Sequence, residues 1–490
     1  MREGLVRRHR PEPAASSVTP APLGRGAAVA ATDPQPTTTA LAHALVLTVD
    51  HERTILLDGA VIFDERGKIL DVGPSAEVIP GLPPDAEVVD CRGRVITPGF
   101  VDAHAHLGEH LMRGLVPDDA KPDEWLRDWL LPAYAALTPE EEHLSCELAI
   151  AEMLLTGTTT FAEAGTLLEW EPAADAVERM GIRGQLGRWT WDLPSAPERM
   201  RQTTAGAIDS VVELLDGVAT SNCSRLESAV ILLGMGTASD ELLREAAALA
   251  TERGLPLAMM YASVAPEHGG KTLPASALAD AGWLSPRTKL THAVYVSDED
   301  VRLLAERDVR VAHCPTAALR HAKGISRFGR VPEMLAAGMA VGLGGDSANG
   351  SNHLDMLRLA NLAATLYKDF RMDPTLIPPE TALEMATVHG ARCLGLDQKV
   401  GSIEPGKCAD LVVFSTEHPE WRPLLHPVQN LILSATDRSI ESVWVDGRKV
   451  VEDGRLLTVD LPSVLDRADG AARGLLRRVD LEAPWAWPVR

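Results

Sequence analysis

The sequence predicts an α/β protein: a (β/α)8 TIM barrel with a small β-sandwich built from both ends of the chain. Three observations predict it. Between about residues 98 and 398, short apolar runs alternate with longer amphipathic stretches, the pattern of a parallel sheet with crossover helices. The number of such units favours a closed barrel over an open sheet. Runs rich in Val, Ile and Leu, punctuated by glycine turns, bracket this region on both sides.

Taken in order, residues 1–40 are rich in Pro, Ala, Thr and Arg and read as a disordered tail. Residues 41–97 read as the first part of the sandwich. There "HALVLTVD", "LLDGAVIFDERGKILDVG" and "AEVVDCRGRVITPG" suggest hairpins with Asp-Gly and Arg-Gly turns. Residues 98–398 are the barrel. Its strands are "TTTFAEA", "IRGQLGR", "LPLAMMY", "KLTHAVYV", "VRVAHCP" and "MAVGLGGD", and "SDELLREAAALATERG" and "DEDVRLLAERD" are two of its helices. Residues 399–456 return to strands in "ADLVVF" and "IESVWVDGRKVVEDGRL" as the second part of the sandwich. Residues 457–490 carry a terminal helix.

Composition narrows the functional class. The 490 residues carry a formal charge of −22 and only 4% aromatics, which disfavours nucleic acid and anionic membrane as partners. No apolar run approaches the roughly 20 residues of a membrane helix. The six cysteines are scattered without a CxxC pair, so they read as free thiols of a reducing cytosol, and a cytoplasmic location follows as the expectation. Two phosphate-loop look-alikes fail. "EHGGKT" has Ala265 where the first glycine is needed, and "EPGKCAD" has no Ser or Thr after its lysine.

The chemistry starts at "GFVDAHAHLGEHLMRG". His104 and His106 are two residues apart on a strand, so both imidazoles point to one face, as two ligands of one metal require. His292, His313 and Asp346 each close a later predicted strand, the end where barrels carry their active sites. The expected ligand set is His104, His106, His292 and Asp346. It would hold one divalent ion, zinc first, with iron, cobalt or manganese compatible. His292 and His313 are candidate acid–base residues, with Glu267 a further candidate proton donor. Arg188 could polarise a carbonyl or hold an anion. Trp125 and Trp129 have helical spacing, which suits either a packed helix face or a substrate wall.

"VITPGFVDAHAHLGEHLMRG" resembles the first metal-binding strand of the amidohydrolase superfamily. "WLRDWLLPAYAALTPEEEHLSCELAIAEMLLTGTTTF", "VAHCPTAALRHAKGI", "GLGGDSANGSNHLDM" and "MATVHGARCLGLDQKVGSIEPGKCADLVVF" resemble its deaminase and chlorohydrolase branch over about residues 41–455. The resemblance implies a metal-bearing barrel with a small β-sandwich, water activated by the metal, and a strand-eight aspartate, here Asp346, acting as ligand and proton shuttle. It also implies a fifth-strand His-x-x-Glu. Here "LPLAMMYASVAPEHGG" places Tyr261 and Val264 at those positions, with His268 the only histidine nearby. Tyr261 and His268 are therefore the expected replacements near the substrate. The fourth-strand region "ESAVILLGMG" has no lysine for a two-metal site.

Valine cannot protonate a ring nitrogen. The expectation is thus hydrolysis of a non-peptide C–N bond at a carbonyl carbon, in an amide, carbamate or urea-like small molecule. The substituted-urea and thiocarbamate hydrolases of the superfamily are the members to compare first. Two alternatives stand beside it: an aminohydrolase of a nucleobase-like heterocycle, and an inactive barrel kept for binding. The expected partner is a small-molecule substrate, and the expected assembly is a homodimer.

Overall fold

The computed structural model describes residues 38–121, 124–265, 270, 273–482, 485, 487 and 488. The predicted tail up to residue 37, Glu267 and His268 lie outside the described residues.

Five strands precede the first histidine motif: β1 (Thr38–Leu47), β2 (Ile55–Asp64), β3 (Ile69–Pro74), β4 (Glu87–Asp90) and β5 (Arg94–Pro98). The first begins at Thr38, three residues before the expected start of the sandwich at residue 41. Asp58–Gly59 is not a turn, as expected from its Asp-Gly pair, but the middle of β2. Gly59 pairs with Ala44 at an irregular step of the ladder, and a Cβ there would lie 2.7 Å from Leu56 Cβ. The glycine answers a close approach, not a reversal. "AEVVDCRGRVITPG" is not a hairpin either. Both β4 and β5 pair with β1, and both run parallel to it.

The middle of the chain supplies β6 (Phe100–His106), β7 (Thr158–Glu163), β8 (Arg183–Leu186), β9 (Leu226–Ser228), β10 (Val230–Gly234), β11 (Leu257–Tyr261), β12 (Thr288–His292), β13 (Arg310–His313), β14 (Val341–Leu343) and β15 (Asp346–Ser347). They form two five-stranded, all-parallel sheets, ordered β15-β6-β7-β8-β9 and β10-β11-β12-β13-β14. Two nearly continuous stretches serve both sheets: β9 and β10 are separated by Ala229 alone, and β14 and β15 by Gly344 and Gly345. The crossover helices form where the apolar spacing predicts them. Asp240–Arg253 starts at Ser239, whose hydroxyl accepts from Leu242 N, and stops at Gly254 with φ +67°. Asp298–Glu306 opens with a reciprocal Ser297–Asp300 cap.

The chain then returns to strands β16 (Leu411–Ser415), β17 (Ile440–Val445), β18 (Arg448–Glu452) and β19 (Arg455–Leu456). β16 pairs antiparallel with β5, so both ends of the chain meet in one nine-stranded sheet. Asp446-Gly447 and Asp453-Gly454 make its tight turns, as their sequence predicts. A buried ion group ties this sheet to the parallel strands. Arg183 of β8 reaches Asp410 and Asp446, 3.3 Å from each. The terminal helix spans Leu461–Arg478. Among the described residues no helix is long and apolar enough to cross a membrane.

Candidate active site

The site is assembled at the C-terminal ends of the parallel strands. β6 presents His104 and His106, both buried, on one face as its pleat requires. β15 pairs with β6 in the register Asp346↔Ala105 and Ser347↔His106, which brings Asp346 beside the two imidazoles. Two glycines make this approach possible. A Cβ on Gly344 would lie 2.9 Å from His104 Cβ, and one on Gly345 2.7 Å from Asp102 Oδ2. Asp346 has φ +63°, a left-handed conformation that a non-glycine residue holds only where its surroundings impose it. His292 closes β12. Lys289 Nζ donates to Ala103 O at 2.7 Å and the Thr291 hydroxyl lies 3.2 Å from His104 Nδ1, so these two side chains point inward. Strict alternation would turn His292 outward. Positive φ at His292 and Ala293 breaks the alternation, and the imidazole lines the cavity.

Ligand-type atoms of His104, His106 and Asp346 lie within 4.8 Å of one another, and His292, Cys314 and Asp346 form a second such group. Asp346 is common to both. His106 Nε2 is 3.1 Å from Asp346 Oδ1, and His292 Nε2 is 3.8 Å from Oδ2. His104 Nε2 and His292 Nδ1 are buried without a hydrogen-bond partner, an arrangement that costs stability unless a cation or water fills it. Two imidazoles and a carboxylate, with a third imidazole adjacent, suit a divalent ion of the zinc type. The residues therefore fit the metal that the sequence predicts.

Electrostatics follow burial and pairing. Burial pushes the His292 pKa down to about 3 and that of His104 well below its ordinary value, keeping both rings neutral as ligands must be. Burial would raise Asp346, but the hydrogen bond from His106 and the positive charges of Lys323 and His106 outweigh it and keep the carboxylate ionised. His106 lies between two carboxylates. Its Nδ1 is 3.2 Å from Glu109 Oε1, and these acids overcome burial to raise its pKa well above the ordinary value. Glu109 in turn accepts from Asn349 Nδ2, and Asn349 Oδ1 accepts from the Trp125 indole at 2.9 Å.

A cavity of about 490 Å³ opens onto this cluster. Trp125, Tyr134, Trp189 and Trp191 form aromatic walls, and Glu109, His321 and Lys323 add polar groups. Trp125, one of the expected substrate-binding residues, lines this cavity. Three other expectations are corrected. Arg188 does not face the cavity; it pairs with Glu169 at 3.1 Å and Glu213 at 2.7 Å. Tyr261 turns into the core and donates its hydroxyl to Leu273 O at 2.7 Å. Because Met260 pairs with Thr291, it is Met260, with Ser263 and Val264, that faces the cavity from the fifth strand. His313 is buried, packs 6.1 Å from the Tyr367 ring and does not line the cavity.

Residues 95–450 match the amidohydrolase family model. The chain belongs to the amidohydrolase family. It is 34% identical over 454 residues to a 5-methylthioadenosine/S-adenosylhomocysteine deaminase of Nitratidesulfovibrio vulgaris, covering 91% of this chain and 99% of that one. It is also 34% identical over 443 residues to a 5'-deoxyadenosine deaminase of Methanothermobacter thermautotrophicus, covering 87% and 100%. Among solved structures, an adenosine deaminase from Xanthomonas campestris with bound zinc superposes with a TM-score of 0.83 at 28% identity, covering 91% of this chain and 100% of that one. An atrazine chlorohydrolase from Arthrobacter aurescens with zinc, at 23% identity and TM-score 0.79 over 89% and 100%, shares the fold. These neighbours establish a TIM-barrel-type α/β fold for this amidohydrolase.

Sequence reasoning missed Glu109, Asn349, Met260, Ser263, His321 and Lys323. Glu109 follows His106 by three residues and Asn349 follows Asp346 by three, so a search for polar residues just beyond the ligand motifs finds both. For the others, only the strand's phase and the path of a loop reveal the cavity.

Proposed function

We propose that this amidohydrolase releases an amino group hydrolytically from a flat, nucleoside-like ring, the aminohydrolase alternative of the sequence analysis. The observation that carries it is the aromatic-walled cavity ending on the His104–His106–Asp346 cluster. The deaminase relatives, alike over nearly their whole length, support it. In this reading the two parallel sheets are the halves of one (β/α)8 barrel, and the nine-stranded sheet is the small sandwich beside it.

His104, His106 and Asp346, with His292, would hold the divalent ion. Such an ion lowers the pKa of water from 15.7 to about 7 and so supplies hydroxide at neutral pH. Asp346 takes the proton released from water and returns it to the leaving amine. The substrate ring stacks against the tryptophans, which also exclude bulk water. The ring nitrogen needs its own proton donor. Met260 and Ser263 cannot serve, and Glu109 is the other carboxylate lining the cavity among the described residues. Glu109 takes that role.

One observation favours a second reading. A fifth strand facing the cavity with Met260, Ser263 and Val264 has neither imidazole nor carboxylate. That suits cleavage at a carbonyl carbon, in an amide, carbamate or urea, where only the leaving amine needs a proton. Assay of metal-loaded protein on adenine nucleosides and on a panel of amides, carbamates and ureas decides between them. Ammonia release from the nucleosides is the expected result; turnover confined to the second panel overturns it.

A further inference from the structure

We propose that Lys323 anchors an anionic oxygen group of the substrate, so that the cavity takes carboxylate-bearing rings in preference to their neutral counterparts. The proposal rests on the reading above only for which cavity holds the substrate. Lys323 lies in the turn between the helices Pro315–Arg320 and Ile325–Phe328. Its backbone is pinned at both ends. Its N–H donates to Ala318 O at 2.8 Å, and its carbonyl accepts from the Tyr295 hydroxyl at 2.9 Å. Gly324 follows in the left-handed region, φ +69°, and closes the turn. The side chain is thereby directed into the cavity wall.

Among the described residues lining the cavity, Lys323 is the only lysine or arginine. Its ammonium has no hydrogen bond or ion pair to any described group. Arg320, three residues earlier, is fully engaged with the carbonyls of Asn349, Gly350 and Val116 and with Asp118. Neither of the cavity's two carboxylates is in ion-pair contact with Lys323: Glu109 and Asp346 both contact His106, and Asp346 feels the ammonium only at longer range. Beside it, His321 packs 5.0 Å from the Trp125 ring with a buried Nε2 that has no partner. A half-buried cation beside a neutral imidazole in an apolar cavity is costly without a counter-charge, and a ligand anion supplies it. The adjoining Trp125 wall sets the class: a flat ring whose acidic group lies toward Lys323 and His321.

The test is isothermal titration of metal-loaded protein with benzoate and with benzamide, which differ in the charge of one group. Wild-type protein should bind benzoate roughly tenfold or more tightly. Lys323→Met should remove that preference by weakening benzoate alone, and Lys323→Arg should keep it. Lys323→Gln repeats the test if the methionine variant fails to fold, as melting reports. Equal affinities in wild type, or a preference that survives Lys323→Met and Lys323→Gln, would overturn the proposal. The latter result means that the metal site alone captures the carboxylate. Failure of the nucleoside assay leaves this titration interpretable. Conversely, nucleoside turnover without benzoate preference keeps the catalytic reading and removes this one.

Discussion

His106 Nε2 lies 3.1 Å from Asp346 Oδ1. The two residues are far apart in the chain, yet their strands are neighbours, with Ser347 paired directly to His106. A carboxylate and an imidazole so close, beside an unpartnered His104 Nε2, make a candidate cation site.

Purified protein should accordingly contain about one divalent ion per chain, and His104→Ala combined with His106→Ala should lose it. Elemental analysis before and after chelation measures this. Retention of the ion by the double variant, or full activity in chelated protein, contradicts the assignment.

Asp346→Asn should cut kcat by roughly 10²-fold or more while circular dichroism stays that of the native fold. Asparagine keeps the shape but cannot take a proton from water. Residual turnover above about a tenth of wild type rules out the proton-carrying role.

Glu109→Gln separates two functions of one carboxylate. If Glu109 protonates the substrate ring, kcat should fall roughly 10²-fold with metal content unchanged. Loss of metal in parallel with activity would instead mean that Glu109 acts through His106 by holding its ring, which typically changes metal affinity by about 10–100-fold.

The phase of the fifth strand predicts opposite outcomes for adjacent residues. Met260→Ala should change KM, because Met260 faces the cavity. Tyr261→Phe should leave KM alone and cost about 1 kcal/mol of stability, through loss of the bond to Leu273 O. Steady-state kinetics and denaturant unfolding measure the two. A KM change confined to Tyr261→Phe would restore the phase expected from sequence.

Glu142 makes stability depend on pH. Burial pushes its pKa up to about 7, against the opposing hydrogen bonds from Leu168 N and Glu169 N. A carboxyl that holds its proton more tightly when folded favours the fold below its ordinary pKa, near 4.5, and loses that contribution as pH rises toward 7. The loss is about 3 kcal/mol. Tm should therefore carry a falling component between these pH values that Glu142→Gln removes. An unchanged profile in the variant would assign the slope to other groups.

The barrel-type fold and much of the candidate metal cluster were legible in the sequence, because both are written in local periodicity. Alternation of short apolar strands with amphipathic helices specifies parallel sheets. The spacing of His104 and His106 on one strand specifies a shared face. Asp346 after a glycine pair marks a strand end. These signals are carried by neighbours in the chain, and strand geometry converts them directly into positions. The phase of "LAMMYASV" was not legible. All its residues are apolar or small, so no alternation says whether Met260 or Tyr261 faces inward, and pairing with Thr291 decides it. Arg188 looked like a substrate-binding cation until Glu169 and Glu213 came to it from other elements. His292 faces the cavity only because the backbone at residues 292 and 293 leaves the strand conformation. Lys323 was one lysine in an unremarked loop, until the turn closed by Gly324 and tied to Tyr295 carried it to the cavity wall. Pattern along the chain determines which elements form and which face each presents. Charge partners, strand phase in uniform segments and the direction of loop side chains are set by contacts between residues distant in sequence, and only the tertiary structure decides those.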